Sequence, residues 1–208
     1  MAKIFAEIAF TDSVRALQEK YGSRKNYERI EKNQVVDGLS NYEIEFINDR
    51  DSFYLATIGI KDFPYIQHRG GPKGFLKVLD AKRLGFIDFT GNKQYISVGN
   101  MAANNNVALI MVDYPARARL KIFAKAEIVE LKDNPNLFEL LDLKEYRFRP
   151  ERMMVFNIEA YDWNCPQHIT PRYTVEEIEE AFKPKWNYVA KLETEIKALK
   201  AKLKDKND

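Results

Sequence analysis

Apolar residues recur along this chain in three rhythms, and each predicts a different kind of element. Over residues 11–49 the rhythm is helical. Thr11 and Asp12 offer N-caps, Val14, Leu17 and Tyr21 share one face, and Gly22 can close the turn in a left-handed conformation. A second helix is predicted from Ser40, where Glu43 three residues on completes a capping box. From residue 51 to 130 the rhythm shortens to runs rich in aromatic and β-branched residues. They are FYLATIGI (53–60), a Lys61-Asp62 turn into PYIQHR, FLKVL (75–79), LGFIDF (84–89), VALIMVD (107–113) and RLKIFAKAEIVE (119–130). Gly, Pro and Asn separate these runs, and helical stretches are too sparse for repeated βαβ units. The prediction is an antiparallel sheet closing into a small barrel. KQYISVGNMAAN (93–104) predicts a short helix between strands, followed by a helix at 135–145 and a strand at 153–161. The class is α+β.

The third rhythm belongs to the C-terminal region. Thr174 and Glu177 form another capping box, opening a helix expected to stop near Pro184. Beyond it, Val189, Leu192, Ile196, Leu199 and Leu203 alternate spacings of three and four, an a/d heptad seam of about three heptads. Two readings follow: self-association through the seam, or an amphipathic helix lying on its own domain. The expected division is a domain over residues 1–184 and a C-terminal helix over 185–208.

Composition narrows the function classes. A length of 208 residues suits one domain with an appendage, and 45% hydrophobic content argues against disorder. The balance of 33 Lys+Arg against 31 Asp+Glu gives +2, so no chain-wide electrostatic case for nucleic acid exists. Residues 187–208 hold six Lys, two Glu and two Asp, which accounts for that whole surplus. No apolar run reaches the ~18 residues of a membrane helix. MAKIFAEIAF carries Glu7 and no cleavage site, so a cytoplasmic protein without a signal peptide is expected. One cysteine excludes an internal disulfide.

Motifs exclude more than they assign. G-x-G-x-x-G, G-x-x-x-x-G-K-[ST] and G-x-S-x-G are all absent. Cys165 and His168 are spaced like half a zinc site without two further ligands, so no metal is expected and Cys165 reads as a small buried thiol. Three polar stretches remain. QHRGGPKGF (67–75) sets Arg69 and Lys73 around a Gly-Gly-Pro turn, either a hairpin connection or an anion site of glycine amides and cations. DFTGNKQYISVGN (88–100) carries Thr90, Asn92, Gln94, Tyr95, Ser97 and Asn100 near a helix start, either an ordinary polar face or donors for a phosphate and a heterocycle edge. ARARLKIF (116–123) alternates Arg117, Arg119 and Lys121 with Ala118, Leu120 and Ile122, either an edge guard or the wall of an anionic pocket. Together they suggest one planar ligand bearing a phosphate.

At these residues the chain resembles the pyridoxamine 5′-phosphate oxidase-like family of FMN-binding split barrels, closest to its pyridoxamine 5′-phosphate oxidase-related flavoproteins. The ordered segments are DSFYLATIG, PYIQHRGGPKGF, GNKQYISVGN, NNNVALIMVDYPARARLKIFAKAEI and YDWNCPQHITPRYT. The resemblance implies a six-stranded antiparallel split barrel, a homodimer, and FMN held between subunits. It implies cofactor contacts from Gln67, His68, Arg69, Asp88, Phe89, Thr90, Gln94, Ser97 and Asn100, and Lys73 of the basic turn is expected to bind the phosphate beside Arg69. Arg119 and Lys121 join as phosphate partners, and Trp163, Asn164, Gln167 and His168 lie where the family's last strand nears the flavin. Ser97-Val98-Gly99 replaces the Ser-Arg-Lys of vitamin B6 oxidases, so the resemblance carries flavin binding rather than that substrate. The implied function is an FMN-dependent oxidoreductase with an open substrate, reduced by a nicotinamide or by substrate, with His168 as the candidate acid–base group. The alternative is a non-catalytic carrier or sensor of flavin, heme or deazaflavin.

Overall fold

The computed structural model describes residues 5–33 and 37–204. Four helices come first: α1 (Phe5–Ala9), α2 (Asp12–Lys20), α3 (Arg24–Asn33) and α4 (Asn41–Asn48). Strands β1 (Ser52–Ile58), β2 (Pro64–Gly70), β3 (Lys77–Asp80) and β4 (Arg83–Phe89) follow, then α5 (Ile96–Ala103). The chain continues through β5 (Asn106–Asp113), β6 (Ala118–Val129), α6 (Pro135–Leu141), β7 (Pro150–Asn164) and α7 (Val175–Lys204). No helix among the described residues is long and apolar enough to cross a membrane.

The period-two pattern makes one face of the sheet apolar. Phe53 and Leu55 of β1, Leu109 and Met111 of β5, Leu120 and Ile122 of β6, and Met154 and Phe156 of β7 are all buried in one cluster. Leu84 and Phe86 of β4 join it, while Ile87 points to the opposite face and packs with Met153 and Leu141 of α6. This strand is buried on both faces, which is why LGFIDF reads as a nearly continuous apolar run.

The sheet order is β2-β1-β5-β6-β7-β4-β3, with every pairing antiparallel. The six strands implied by the family resemblance become seven, because FLKVL contributes a short edge strand. That strand starts only at Lys77; Phe75 and Leu76 precede it and are buried in the core. The sheet is not closed by a ladder, since β2 and β3 end it. It nevertheless curls. The Phe53 ring of β1 meets Phe86 of β4 at 5.4 Å and Phe156 of β7 at 6.1 Å across the interior. An Arg69–Asp88 ion pair of 2.7 Å also joins β2, at one end of the order, to β4, next to the other end.

Local signals place the helix ends. Thr11 caps α2, Gly22 follows it at φ 77°, and Ser40 with Glu43 forms the expected capping box of α4. The apolar face expected on α2 is not buried: Leu17 and Tyr21 are exposed, and Gln18 is the buried residue. The chain forms two compact units. One comprises the residues up to Asp113 with Arg117–Gln167; Tyr114–Ala116 and the residues from His168 form the other. In the second unit the Thr174–Glu177 capping box opens α7 as predicted, with reciprocal bonds of 3.2 and 2.8 Å. The expected stop at Pro184 does not occur, and the helix runs through it to Lys204. Proline removes one intrahelical bond, and the other turns of a 30-residue helix outlast that loss.

Candidate anion-binding site

Strand alternation aims Tyr65, Gln67 and Arg69 of β2 along one side, opposite Thr57, Leu55 and Phe53 of β1. At the end of β4, Asp88 lies in register with Arg152 of β7. The loop after β4 then crosses to α5. These pieces enclose a cavity of about 170 Å³ lined by Gln67, Arg69, Asp88, Phe89, the segment Gly91–Val98, Glu151 and Arg152. Lys93 and Tyr95 hold left-handed backbone at φ 60° and 55°. Neither is glycine, so the crossing turn is a strained one held by its surroundings.

A polar network lines the wall. Arg69 Nη1 lies 2.7 Å from Asp88 Oδ1, and Arg152 Nη1 is 3.8 Å from Asp88 Oδ2. Arg152 also pairs with Glu151 at 3.1 Å and lies over the Tyr95 ring, 5.1 Å from its centroid. Tyr95 OH donates to Glu151 Oε1 at 2.7 Å, which raises the phenol above its usual range. Gln67 Oε1 accepts from Tyr65 OH at 3.2 Å and from Ser97 Oγ at 3.3 Å. Asp88 is 4% exposed, and burial pushes its carboxyl up further than Arg69 and Arg152 pull it down.

The site keeps donors in reserve. Arg69 Nε is buried without a hydrogen-bond partner. No side chain caps α5, and its first residues Ile96, Ser97 and Val98 line the cavity at the positive end of the helix dipole. Three cations (Arg69, Lys93, Arg152) outnumber two carboxylates (Asp88, Glu151) on the lining. Such a wall has the charge and the donors that an oxyanion requires. Its 170 Å³ suits a phosphate-sized group and falls below the ~300–1,000 Å³ of pockets that enclose a whole drug-sized ligand.

Eight of the residues singled out in the sequence meet here: Gln67, Arg69, Asp88, Phe89, Asn92, Gln94, Tyr95 and Ser97. The others are placed elsewhere. His68 points to the other side of β2, edge-on to Tyr54 at 5.4 Å. Lys73 pairs with Asp49 at 2.9 Å, and Thr90 Oγ1 donates to the Arg149 carbonyl. Asn100 Nδ2 donates to the buried Thr57 hydroxyl at 3.1 Å. Arg119 donates to the Cys165 carbonyl at 2.8 Å, and Lys121 pairs with Asp162 at 3.0 Å. Trp163 Nε1 donates to Glu43 Oε1 under α4 at 2.8 Å. Gln167 is exposed, as is His168 in the second unit, where it sits at φ 63°. The side chain of Asn164 lies outside the described residues, as do residues 1–4 of the expected leaderless start.

Three expectations change. The glycine amides of the Gly-Gly-Pro turn are already used, Gly71 N–H by the Asp51 carbonyl and Gly74 N–H by the Arg50 carbonyl. Arg117 lies in the turn at φ 54° rather than on the strand, so Arg119 and Lys121 alternate without it. Cys165 is exposed, not a buried thiol. Sequence reasoning missed Arg152 and Glu151, whose signal is a charged pair opening an otherwise apolar strand. Among the described residues no group of three His, Cys, Asp or Glu could hold a metal ion.

A curled, unclosed antiparallel sheet with a cationic cavity beside a strand-following helix defines the class. The sequence profile of pyridoxamine 5′-phosphate oxidase matches residues 44–162, from α4 to near the end of β7. That is more than half of the chain, which belongs to the pyridoxamine 5′-phosphate oxidase family. Among solved structures, a putative pyridoxamine 5′-phosphate oxidase from Lactobacillus delbrueckii is 23% identical, with a TM-score of 0.47, covering 61% of this chain and 95% of its own. An FMN-binding protein from Syntrophomonas wolfei is 13% identical, with a TM-score of 0.45, covering 71% and 97%. A Clostridium acetobutylicum protein related to general stress protein 26 of B. subtilis is 17% identical, with a TM-score of 0.46, covering 66% and 94%. No curated protein matches by sequence.

Proposed function

We propose that this protein binds FMN and acts as an oxidoreductase on a small molecule, as a homodimer. The observation that carries the reading is Arg69 Nε, a buried guanidinium donor left unpaired on the wall of an anion-accepting cavity. The donor set fits a phosphate. Arg69, Arg152, Ser97 and the first amides of α5 would hold it, since charge-assisted bonds from a planar guanidinium are the strongest such contacts. Gln67 and Gln94 carry amides suited to the polar edge of a heterocycle. Bound FMN supplies hydride and electron transfer at its ring, and the chain's task is to bind and orient it.

Two features support a second subunit. The cavity is too small for the whole cofactor, so further walls are needed. The β1–β2 hairpin also exposes Ile58, Ile60, Phe63 and Ile66, with Ile60 at 86% and Phe63 at 81%. Four exposed apolar side chains on one hairpin are what an association surface would use.

Fluorescence titration of FMN and riboflavin in wild type and Arg69→Ala tests the reading. FMN affinity falls by roughly 2–5 kcal/mol, the scale for truncating one partner of a buried hydrogen-bonded charge pair. Riboflavin affinity stays nearly unchanged. Equal losses for both ligands, or no FMN binding by the wild type, would refute it. Reduction of bound FMN by a nicotinamide separates an enzyme from a carrier.

A further inference from the structure

We infer that α7 is one strand of a parallel, in-register, two-stranded coiled coil formed with a second copy of this chain. The helix passes Pro184, so the heptad seam reaches back to Val175. Position a is filled by Val175, Phe182, Val189, Ile196 and Leu203, and position d by Ile178, Lys185, Leu192 and Leu199. The eight apolar members are all exposed, between 37% and 66%. About three heptads sit at the lower limit for a sustained seam, whereas four clear it. The 30 residues make a rod of about 45 Å.

Pro184 falls at position c, away from the seam. A proline ring crowds the carbonyl four residues back, here that of Glu180 at f on the outer side. Crowding on that side favours curvature toward the seam, the sense in which a supercoiled helix curves.

Five features choose the partner and its direction. β-Branched Val189 and Ile196 at a, with Leu192 and Leu199 at d, favour parallel dimers. In that arrangement Glu195 at g faces Lys200 at e of the second copy, and the symmetry repeats the pair. Bulky Trp186 at e meets small Ala181 at g. Lys185 confines its cost to a single layer when both copies stand in register; a one-heptad slip or an antiparallel pairing spoils two layers. The antiparallel register that sets Val175 against Leu199 also brings Glu179 against Glu193. The inference stands apart from the FMN reading, and its test reads the helix alone.

The test uses the full chain with Cys165→Ser and a single new thiol, under mild oxidation by diamide. Leu199→Cys places two d-position thiols within the ~4.4–6.8 Å Cα range of a disulfide. It is expected to cross-link nearly completely, and at least about tenfold faster than Lys197→Cys on the outer face, because only paired thiols have a high effective concentration. Equal rates at the two positions, or no cross-link at either, would overturn the proposal. So would cross-linking of Leu199→Cys only after mixing with a Val175→Cys chain, the antiparallel signature. Lys185→Leu gives an independent readout: the thermal midpoint of the far-UV helical signal rises in a coiled coil, and an unchanged midpoint counts against one.

Discussion

Arg69 donates to Asp88 through one nitrogen and leaves Nε bare, and a buried donor without a partner costs roughly 1–3 kcal/mol. An incoming phosphate would relieve that cost, and Asp88 competes with it for the same guanidinium. Asp88→Asn is therefore expected to tighten FMN relative to riboflavin by about a hundredfold, the order of a unit charge acting over ~6 Å at an effective dielectric near 20. Isothermal titration of both ligands checks this, and an unchanged ratio counts against the competition. Arg152→Ala acts oppositely, weakening FMN by about tenfold with riboflavin spared, since it removes the second guanidinium at the cavity. Arg69 was legible in the sequence because glycines and a second cation surround it. Arg152 was not: it reaches the cavity only through the Asp88–Arg152 register, a pairing between distant segments.

At the scale of an element, α4 is tied to the sheet through one carboxylate. Glu43 accepts from Ser40 and from Trp163 Nε1, and it is 6% exposed. Burial works to raise its pKa, but the bonds from Ser40, Trp163 and the backbone together hold it below the ordinary glutamate range. Its stabilising contribution is present above the unfolded glutamate value and is lost as pH falls through the lowered folded one. Asp88 has the opposite sign: its raised carboxyl favours the fold at low pH, and that contribution fades as pH rises through the folded value. Glu43→Ala is expected to cost about 1–3 kcal/mol in urea unfolding at neutral pH, because Trp163 loses its acceptor, and to flatten the acid limb of the stability profile. The cap itself could be read from Ser40 and Glu43, four neighbouring residues. Helix continuity at Pro184 could not, because the local rule against proline is outweighed by turns on both sides of it. The exposed Leu17 and Tyr21 show the converse: helical spacing names a face without saying what covers it.

For the whole molecule, strand existence was local and strand order was not. All seven apolar runs form strands, yet β1 pairs with β5 and β4 with β7, links that no neighbouring residues announce. The curl and the gap that make the cavity are products of those distant links. Deleting residues 175–208, which contain α7, is expected to abolish rod-like association while leaving FMN binding, measured by light scattering and flavin fluorescence. A flavin-free truncated chain would show that the cavity depends on the second unit. The sheet order also sets a timetable. β7 lies between β6 and β4 and pairs with both, but it is synthesised after either. Until residue 157 has left the ribosome, β4 lacks its full β7 partner and has the four-residue β3 beside it, and Leu84 and Phe86 wait without the strand that will shelter them. Long-range pairing of this kind is slow and exposes apolar surface while it lasts, so a nascent chain halted before β7 is the form of this protein most in need of a chaperone.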